Sequence, residues 1–229
     1  MKKIKQYLLS LTKFELILWL SSLFIIIVIF TCFKEKDYIS LATSLLGATA
    51  LIFLAKGNVV GAILSVIFGL LYVIISYSYK YYGEMITYGL MTVPISIATI
   101  ISWIKNPSKE NPTEVKVNNL KIKEYLFIIF LSTLVTIFFY FILKWFNTSN
   151  LIISTISVFT SFSACYLSVR RSEYYAVAYA LNDIVLIVLW TLATFDNTKY
   201  ISMVICFIVF LINDLYGFIN WSRLKKVQA

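Results

Sequence analysis

Eight runs of Ile, Leu, Val and Phe, each close to twenty residues long, alternate with short polar breaks along the chain. A helix rises about 1.5 Å per residue and needs roughly 20 apolar residues to cross a bilayer core. On that ruler the pattern predicts spanning helices over 14–33, 39–55, 59–79, 84–104, 124–143, 151–169, 175–194 and 201–221. Breaks as short as "KGN" at 56–58 and "RRSE" at 170–173 force consecutive helices to run antiparallel side by side. One break is longer: "KNPSKENPTEVKVNNLKIK" at 105–123 holds two of the three prolines and five lysines. It reads as a solvated linker between two halves. The expected fold class is all-α, a polytopic membrane protein of about eight helices.

The two halves resemble each other. A shift of 118 residues lays "SVIFGLLY" (65–72) on "DIVLIVLW" (183–190) and "ISIATIISW" (95–103) on "NDLYGFINW" (213–221). Ser65 then matches Asp183, Tyr72 matches Trp190, Ser96 matches Asp214 and Trp103 matches Trp221. An even number of spans separates equivalent helices, so both triplets point the same way across the membrane. The expected organisation is one extra helix (1–38), a three-helix repeat (39–104), a linker with a connecting helix (105–150), and a second repeat with a basic tail (151–229). Parallel triplets joined by one helix form the arrangement of SWEET-type transporters, whose repeats place a substrate site between the halves near the midplane.

Composition sharpens this picture. The 229 residues are 60% hydrophobic and only 14% charged, with a mean hydropathy of +0.86; soluble domains run nearer half apolar and a quarter charged. The net charge of +9 invites a nucleic-acid reading, but the basic residues border the apolar runs. Of the 20 Lys and Arg, 15 fall in the N-terminal tail, loops 56–58 and 170–173, the long linker and the C-terminal tail, against 5 in the opposite loops. The positive-inside rule then places both termini in the cytoplasm. The basic start followed by an apolar run mimics a secretory leader, but its length suits a retained helix. There is no His, and Cys32, Cys165 and Cys206 lack CxxC spacing. They read as small buried hydrophobes, and no metal site or cofactor is expected. Walker, GxSxG and HExxH motifs are missing, which argues against catalysis and ATP-driven pumping.

Two polar pairs interrupt the apolar runs: Asn182–Asp183 in "LNDIVLIVLW" and Asn213–Asp214 in "INDLYGFINW". Counted from the helix ends, both lie roughly 12 Å deep and therefore level with each other. An unpaired Asp at that depth costs about 2.5–3.5 kcal/mol on insertion scales, and no Lys or Arg lies at matching depth. Such residues face a cavity or a partner rather than lipid. Helical spacing adds Tyr175 and Tyr179 to the stripe of Asn182, with Asp183 and Trp190 on its flank. Tyr216 and Asn220 join Asn213, beside Asp214, Gly217 and Trp221. In the first half, Ser65, Gly69, Tyr72 and Ser76 share one face, as do Tyr88, Thr92 and Ser96 on the next helix. Aromatic rings beside amides and carboxylates suit a flat, hydroxylated ligand. Polar residues also glue helices together, and Trp103, Trp221 and Tyr200 at helix ends fit interfacial belts better than a site. Glu84 stands at a helix start, where a carboxylate suits the helix dipole.

Most of the chain, from about residue 40 to 224, resembles the PnuC-type nicotinamide riboside transporters, long described as nicotinamide mononucleotide transporters. The resemblance is carried by "AKGN" (55–58), "YYGEMITYG" (81–89), the proline-containing helix ending "ISW" (101–103) and the closing "NDLYGFINWSRL" (213–224). It implies a three-plus-one-plus-three fold, a homotrimer, and facilitated diffusion of a B-vitamin precursor that a cytoplasmic kinase traps by phosphorylation. Many members carry a Trp-x-x-Trp that packs around the ligand. Counted from Glu173, those positions fall on Tyr175 and Ala178, with Tyr179 adjacent, and the polar position a few residues on falls on Asn182. With the aromatic pair altered, deoxyribonucleosides, thiamine and riboflavin stand as alternative substrates. Proton-coupled uptake through Asp183 and Asp214 is a second transport reading, and a membrane enzyme or a non-transporting receptor a third.

Overall fold

All eight predicted spans form helices in the computed structural model, which describes residues 11–32, 37–79, 81–196 and 198–228. They are α1 (Lys13–Cys32), α2 (Tyr38–Ala55), α3 (Val59–Ser78), α4 (Tyr82–Lys105), α5 (Ile122–Trp145), α6 (Leu151–Val169), α7 (Tyr174–Asp196) and α8 (Ile201–Val227). Each is long and apolar enough to cross a membrane. The tail at 1–10 and Lys34, Lys36 and Lys80, used in the charge count, lie outside the described residues.

The helix ends follow local chemistry. Thr12 and Glu15 form a reciprocal capping box on α1: the Glu15 amide donates to Thr12 Oγ1 (3.2 Å) and the Thr12 amide to Glu15 Oε2 (2.7 Å). Asp37 caps α2 through the amides of Ile39 and Ser40, and Asn58 caps α3 through the Val60 amide. α2 and α6 end alike. Gly57 (φ 66°) and Arg171 (φ 57°) take the left-handed conformation, and their amides return to Leu54 O (2.8 Å) and Ser168 O (3.0 Å). Glycine is the natural residue at such a turn; Arg171 accepts the conformational cost there.

Six helices close a ring: α2, α3, α4, α6, α7 and α8 each touch the next, and α8 returns to α2. α1 lies outside against α2 and α8, and α5 against α6. The two seams between the triplets are pinned in the same way. Trp103 Nε1 on α4 donates to Ser168 O at the end of α6 (2.9 Å), and Trp221 Nε1 on α8 donates to Leu54 O at the end of α2 (2.8 Å). The two indoles meet with centroids 5.4 Å apart. Toward the other end, Trp190 Nε1 donates to Tyr72 Oη (2.9 Å). Both contacts join residues equated by the 118-residue shift. Two copies related by a two-fold axis touch through equivalent residues only on the axis, so these pairs mark a pseudo-two-fold running along the helices. Each buried hydrogen bond contributes about 0.5–1.5 kcal/mol net. The belt expectation for Trp103 and Trp221 is overturned: they are 1% and 0% exposed, because they cap helix ends across the seams. Tyr200 packs on Tyr79, Tyr81 and Trp190.

The long linker is less solvated than its composition suggests. Its Val115 amide donates to Gly57 O (2.8 Å), its Asn118 amide to Arg171 O (2.9 Å), and Gln228 Oε1 accepts from the Val117 amide (2.8 Å). It thereby ties together both equivalent turns and the C-terminal end of α8, burying Val115 and Val117. α1 is anchored by one buried stripe. Glu15 accepts from Lys56 (3.2 Å) and Tyr216 (3.0 Å), Trp19 donates to Thr49 Oγ1 (3.0 Å), and Ser22 Oγ accepts from Asn213 Nδ2 (3.0 Å). Of the cysteines expected to be buried, Cys165 and Cys206 are; Cys32 is exposed, at the end of the peripheral α1.

Candidate functional site

The axis marked by the two aromatic pairs passes through a cavity enclosed by the six-helix ring. Four side chains equated by the repeat stand around it: Ser65 on α3, Asp183 on α7, Ser96 on α4 and Asp214 on α8. Tyr88, Thr92, Ser161, Tyr179 and Asn182 add polar groups, and Phe68, Phe207 and Phe210 add rings. Gly47, Ala50, Leu51 and Leu54 on α2 complete the wall with small or apolar faces. Its water-accessible space is about 60 Å³, room for several waters and well below the hundreds of Å³ of pockets that enclose a ring-bearing ligand. Helices or side chains must part to admit one.

The walls differ chemically because the second triplet carries most of the polarity. Asp183 and Asp214 are each 4% exposed, and their carboxyl groups lie within hydrogen-bonding reach of each other. Asn182 is held from behind. Its Oδ1 contacts Thr160 Oγ1 and Ser161 Oγ, both at 2.8 Å, so one end of the amide is engaged and the other is left for the cavity. Tyr179 Oη lies 3.3 Å from Cys165 Sγ. No Lys or Arg lines the cavity, and among the described residues no group of three His, Cys, Asp or Glu is placed to hold a metal.

α4 brings Tyr88 and Thr92 into the wall through a local change of helix. Residues Tyr88–Thr92 form a π-helical turn, in which the Val93 amide reaches back to Tyr88 O. Pro94 follows directly. Having no N–H for the carbonyl four residues earlier, it favours such a loosened turn, and π-turns recur at functional sites. The corresponding stretch of α8, at 206–210, is regular α-helix.

The remaining sequence candidates lie outside the lining. Tyr175 is wedged between Trp103 and Trp221, 4.7 Å from the latter's ring. Tyr72 and Trp190 close the axis at the other end, with Tyr72 4.4 Å from Tyr88. Asn213 and Tyr216 turn to α1, through Ser22 and Glu15. Ala178 faces a surface groove beside Tyr125 and Tyr174. Glu84 does not cap its helix: it is 1% exposed and accepts from Ser157 Oγ on α6 (3.0 Å), because α4 begins against that helix. Thr160 and Ser161 are lining or supporting residues that the sequence reading missed. The signal was there in α6, whose buried Ser154, Ser157, Ser161 and Ser168 make a hydroxyl stripe at helical spacing.

Comparison with known proteins places these features in context. The family model described as "Nicotinamide mononucleotide transporter" matches residues 37–223, which spans both triplets and the connecting helix but not α1. The nicotinamide riboside transporter PnuC of Neisseria mucosa is 26% identical over 222 residues, covering 94% of this chain and 83% of that protein. The protein of the same name from Haemophilus influenzae is 24% identical over 226 residues, covering 98% and 96%. The crystal structure of the vitamin B3 transporter PnuC superposes with a TM-score of 0.84 at 26% identity, over 96% of this chain and 95% of that one.

Proposed function

Because this chain belongs to the nicotinamide mononucleotide transporter family, with most of its length matched, we propose that it carries a nucleoside, nicotinamide riboside foremost, into the cell by facilitated diffusion, with the central cavity as its binding site. The observation that carries the choice of nucleoside over nucleotide is the charge of the lining. Asp183 and Asp214 stand there with no Lys or Arg, and a phosphate entering the cavity would lose its hydration with no cation to compensate. Rings of Phe68, Phe210 and Tyr88 offer stacking faces for a flat base, while Asn182, Ser65 and Ser96 offer partners for an amide and for ribose hydroxyls.

The same polarity suits capture after entry. A cytoplasmic kinase adds a phosphate, and the anionic product is poorly matched to a cavity that offers it no cation, so the nucleoside is trapped without a coupling ion. Both termini face the cytoplasm on this reading, since the basic turns, the linker and the end of α8 gather at one end of the bundle. The lipid-facing sides of the helices, rich in exposed Ile and Phe, leave room for the trimer that the family resemblance favours. Deoxyribonucleosides, thiamine and riboflavin remain the comparison ligands.

The test is calorimetric titration of the purified full chain with nicotinamide riboside, nicotinamide mononucleotide and those comparison ligands. Tight binding of the riboside with at least tenfold weaker binding of the mononucleotide supports the proposal. Equal or tighter binding of the mononucleotide removes it. Asn182→Ala, which deletes the amide held by Thr160 and Ser161, is expected to abolish riboside binding in a protein that still elutes as a folded species; unchanged affinity would move the site elsewhere.

A further inference from the structure

Among the described residues, no Lys or Arg pairs with Asp183 or Asp214. Ion pairs among the described residues join Lys56 to Glu15, Arg170 to Glu124 and Lys225 to Glu173, and none involves either aspartate. Oδ2 of Asp183 is buried at the cavity wall and receives no hydrogen bond from a described N–H or hydroxyl donor. Two buried carboxyl groups this close carry at most one negative charge between them, and a positive charge beside them is what stabilises it. Aromatic rings line the same cavity: Phe68 and Phe210 lie 5.5 Å apart, and Tyr88 sits 6.4 Å from Phe68. Ring faces attract cations as carboxylates do, and more strongly when water is excluded.

From this juxtaposition we infer that the cavity selects its ligand by the positive charge of a heterocyclic ring, with Asp183 and Asp214 as counter-charge and the Phe68, Tyr88 and Phe210 rings as its aromatic wall. The inference rests on the proposed substrate, since the pyridinium nitrogen of nicotinamide riboside is permanently positive. It extends that proposal to a ligand class, cationic heterocycles carrying a hydroxylated arm, and demotes neutral nucleosides. It also orients the ligand. The repeat equivalents of the two acids are Ser65 and Ser96, so the charge has its partner on the α7–α8 side only, and the ribose falls to the hydroxyls of the first triplet.

Benzamide riboside is the probe, because it keeps the shape, carboxamide and ribose of nicotinamide riboside but has carbon where the ring nitrogen carries the charge. Calorimetric titration of the full chain is expected to give at least tenfold tighter binding of nicotinamide riboside. In the double variant Asp183→Asn with Asp214→Asn, nicotinamide riboside is expected to weaken to the level of benzamide riboside. Retained binding of benzamide riboside then also reports that the variant is folded. Equal binding of the two ligands by the unmodified protein overturns the inference while leaving the nucleoside reading standing, and so does a preference that survives in the double variant. If the unmodified protein binds neither ligand, the substrate proposal itself fails and the inference falls with it.

Discussion

Gly47 offers a way to close the cavity from the side that carries no polar group. It lies on α2, and a Cβ added there would sit 2.3 Å from Phe210 Cζ and 2.9 Å from Phe68 Cδ2. Carbon atoms settle at about 3.5–4.0 Å, so Gly47→Ala requires the Phe210 ring to retreat by more than about 1 Å. Both clashing atoms belong to the far parts of side chains that line the cavity, so the space that receives them is the cavity proposed to hold the ligand. Overpacking of this kind costs about 1–3 kcal/mol. If the rings swing inward, that cost appears when a ligand pushes them back, and affinity should fall by roughly 5- to 150-fold at about 1.4 kcal/mol per decade. The melting temperature of the protein without ligand should then move little. The assay pairs calorimetric titration of nicotinamide riboside with a thermal-unfolding scan of the same preparation. A melting temperature lowered by several degrees with affinity unchanged would refute the reasoning, because the rings would then have strained the bundle instead of filling the site.

Three further outcomes are expected. Trp103→Phe and Trp221→Phe each remove one indole donor from a helix-end carbonyl that keeps its backbone partner, so each should cost about 0.5–1.5 kcal/mol and lower the melting temperature similarly; a large effect at one seam and none at the other would break the pseudo-symmetry argument. Burial opposes the charged form of Asp37, but hydrogen bonds from Tyr79, Ser40 and two amides outweigh it and hold its carboxyl below the usual range. The unfolded chain therefore takes up that proton first, so the stability advantage over Asp37→Asn should be constant above about pH 5 and shrink as pH falls below 4; an advantage that grew on acidification would contradict the sign. Uptake of a cation without a coupling ion should be electrogenic, so an inside-negative potential of about 60 mV should support roughly tenfold accumulation of nicotinamide riboside in proteoliposomes. Accumulation that follows an imposed pH gradient instead would favour proton coupling through Asp183 and Asp214.

Much of the architecture is legible in the chain because the bilayer imposes a length on every apolar run. The boundaries slip where polarity and helicity part company: α8 continues through "SRLKKV" to Val227, since a helix leaving the membrane need not stop. Depth alone picked out Asn182, Asp183 and Asp214, which line the cavity. It also picked out Asn213, which does not, because adjacent helical residues point about 100° apart and α1 occupies that side. A pattern read along one helix carries no signal of what a neighbouring helix covers. The same limit hid the aromatic rings of Phe68, Phe207 and Phe210, which match lipid-facing residues in composition. The linker's charges are visible in sequence, while its backbone hydrogen bonds to Gly57 and Arg171 are not.

The most direct measurement is an experimental structure of the full chain with nicotinamide riboside bound. The expected result places the pyridinium ring against Tyr88 and Phe210, with Asp183 and Asp214 beside the ring nitrogen and the Asn182 amide within hydrogen-bonding distance of the ligand. A ligand seated outside the six-helix ring, or inside it with both aspartates turned away, would contradict the account.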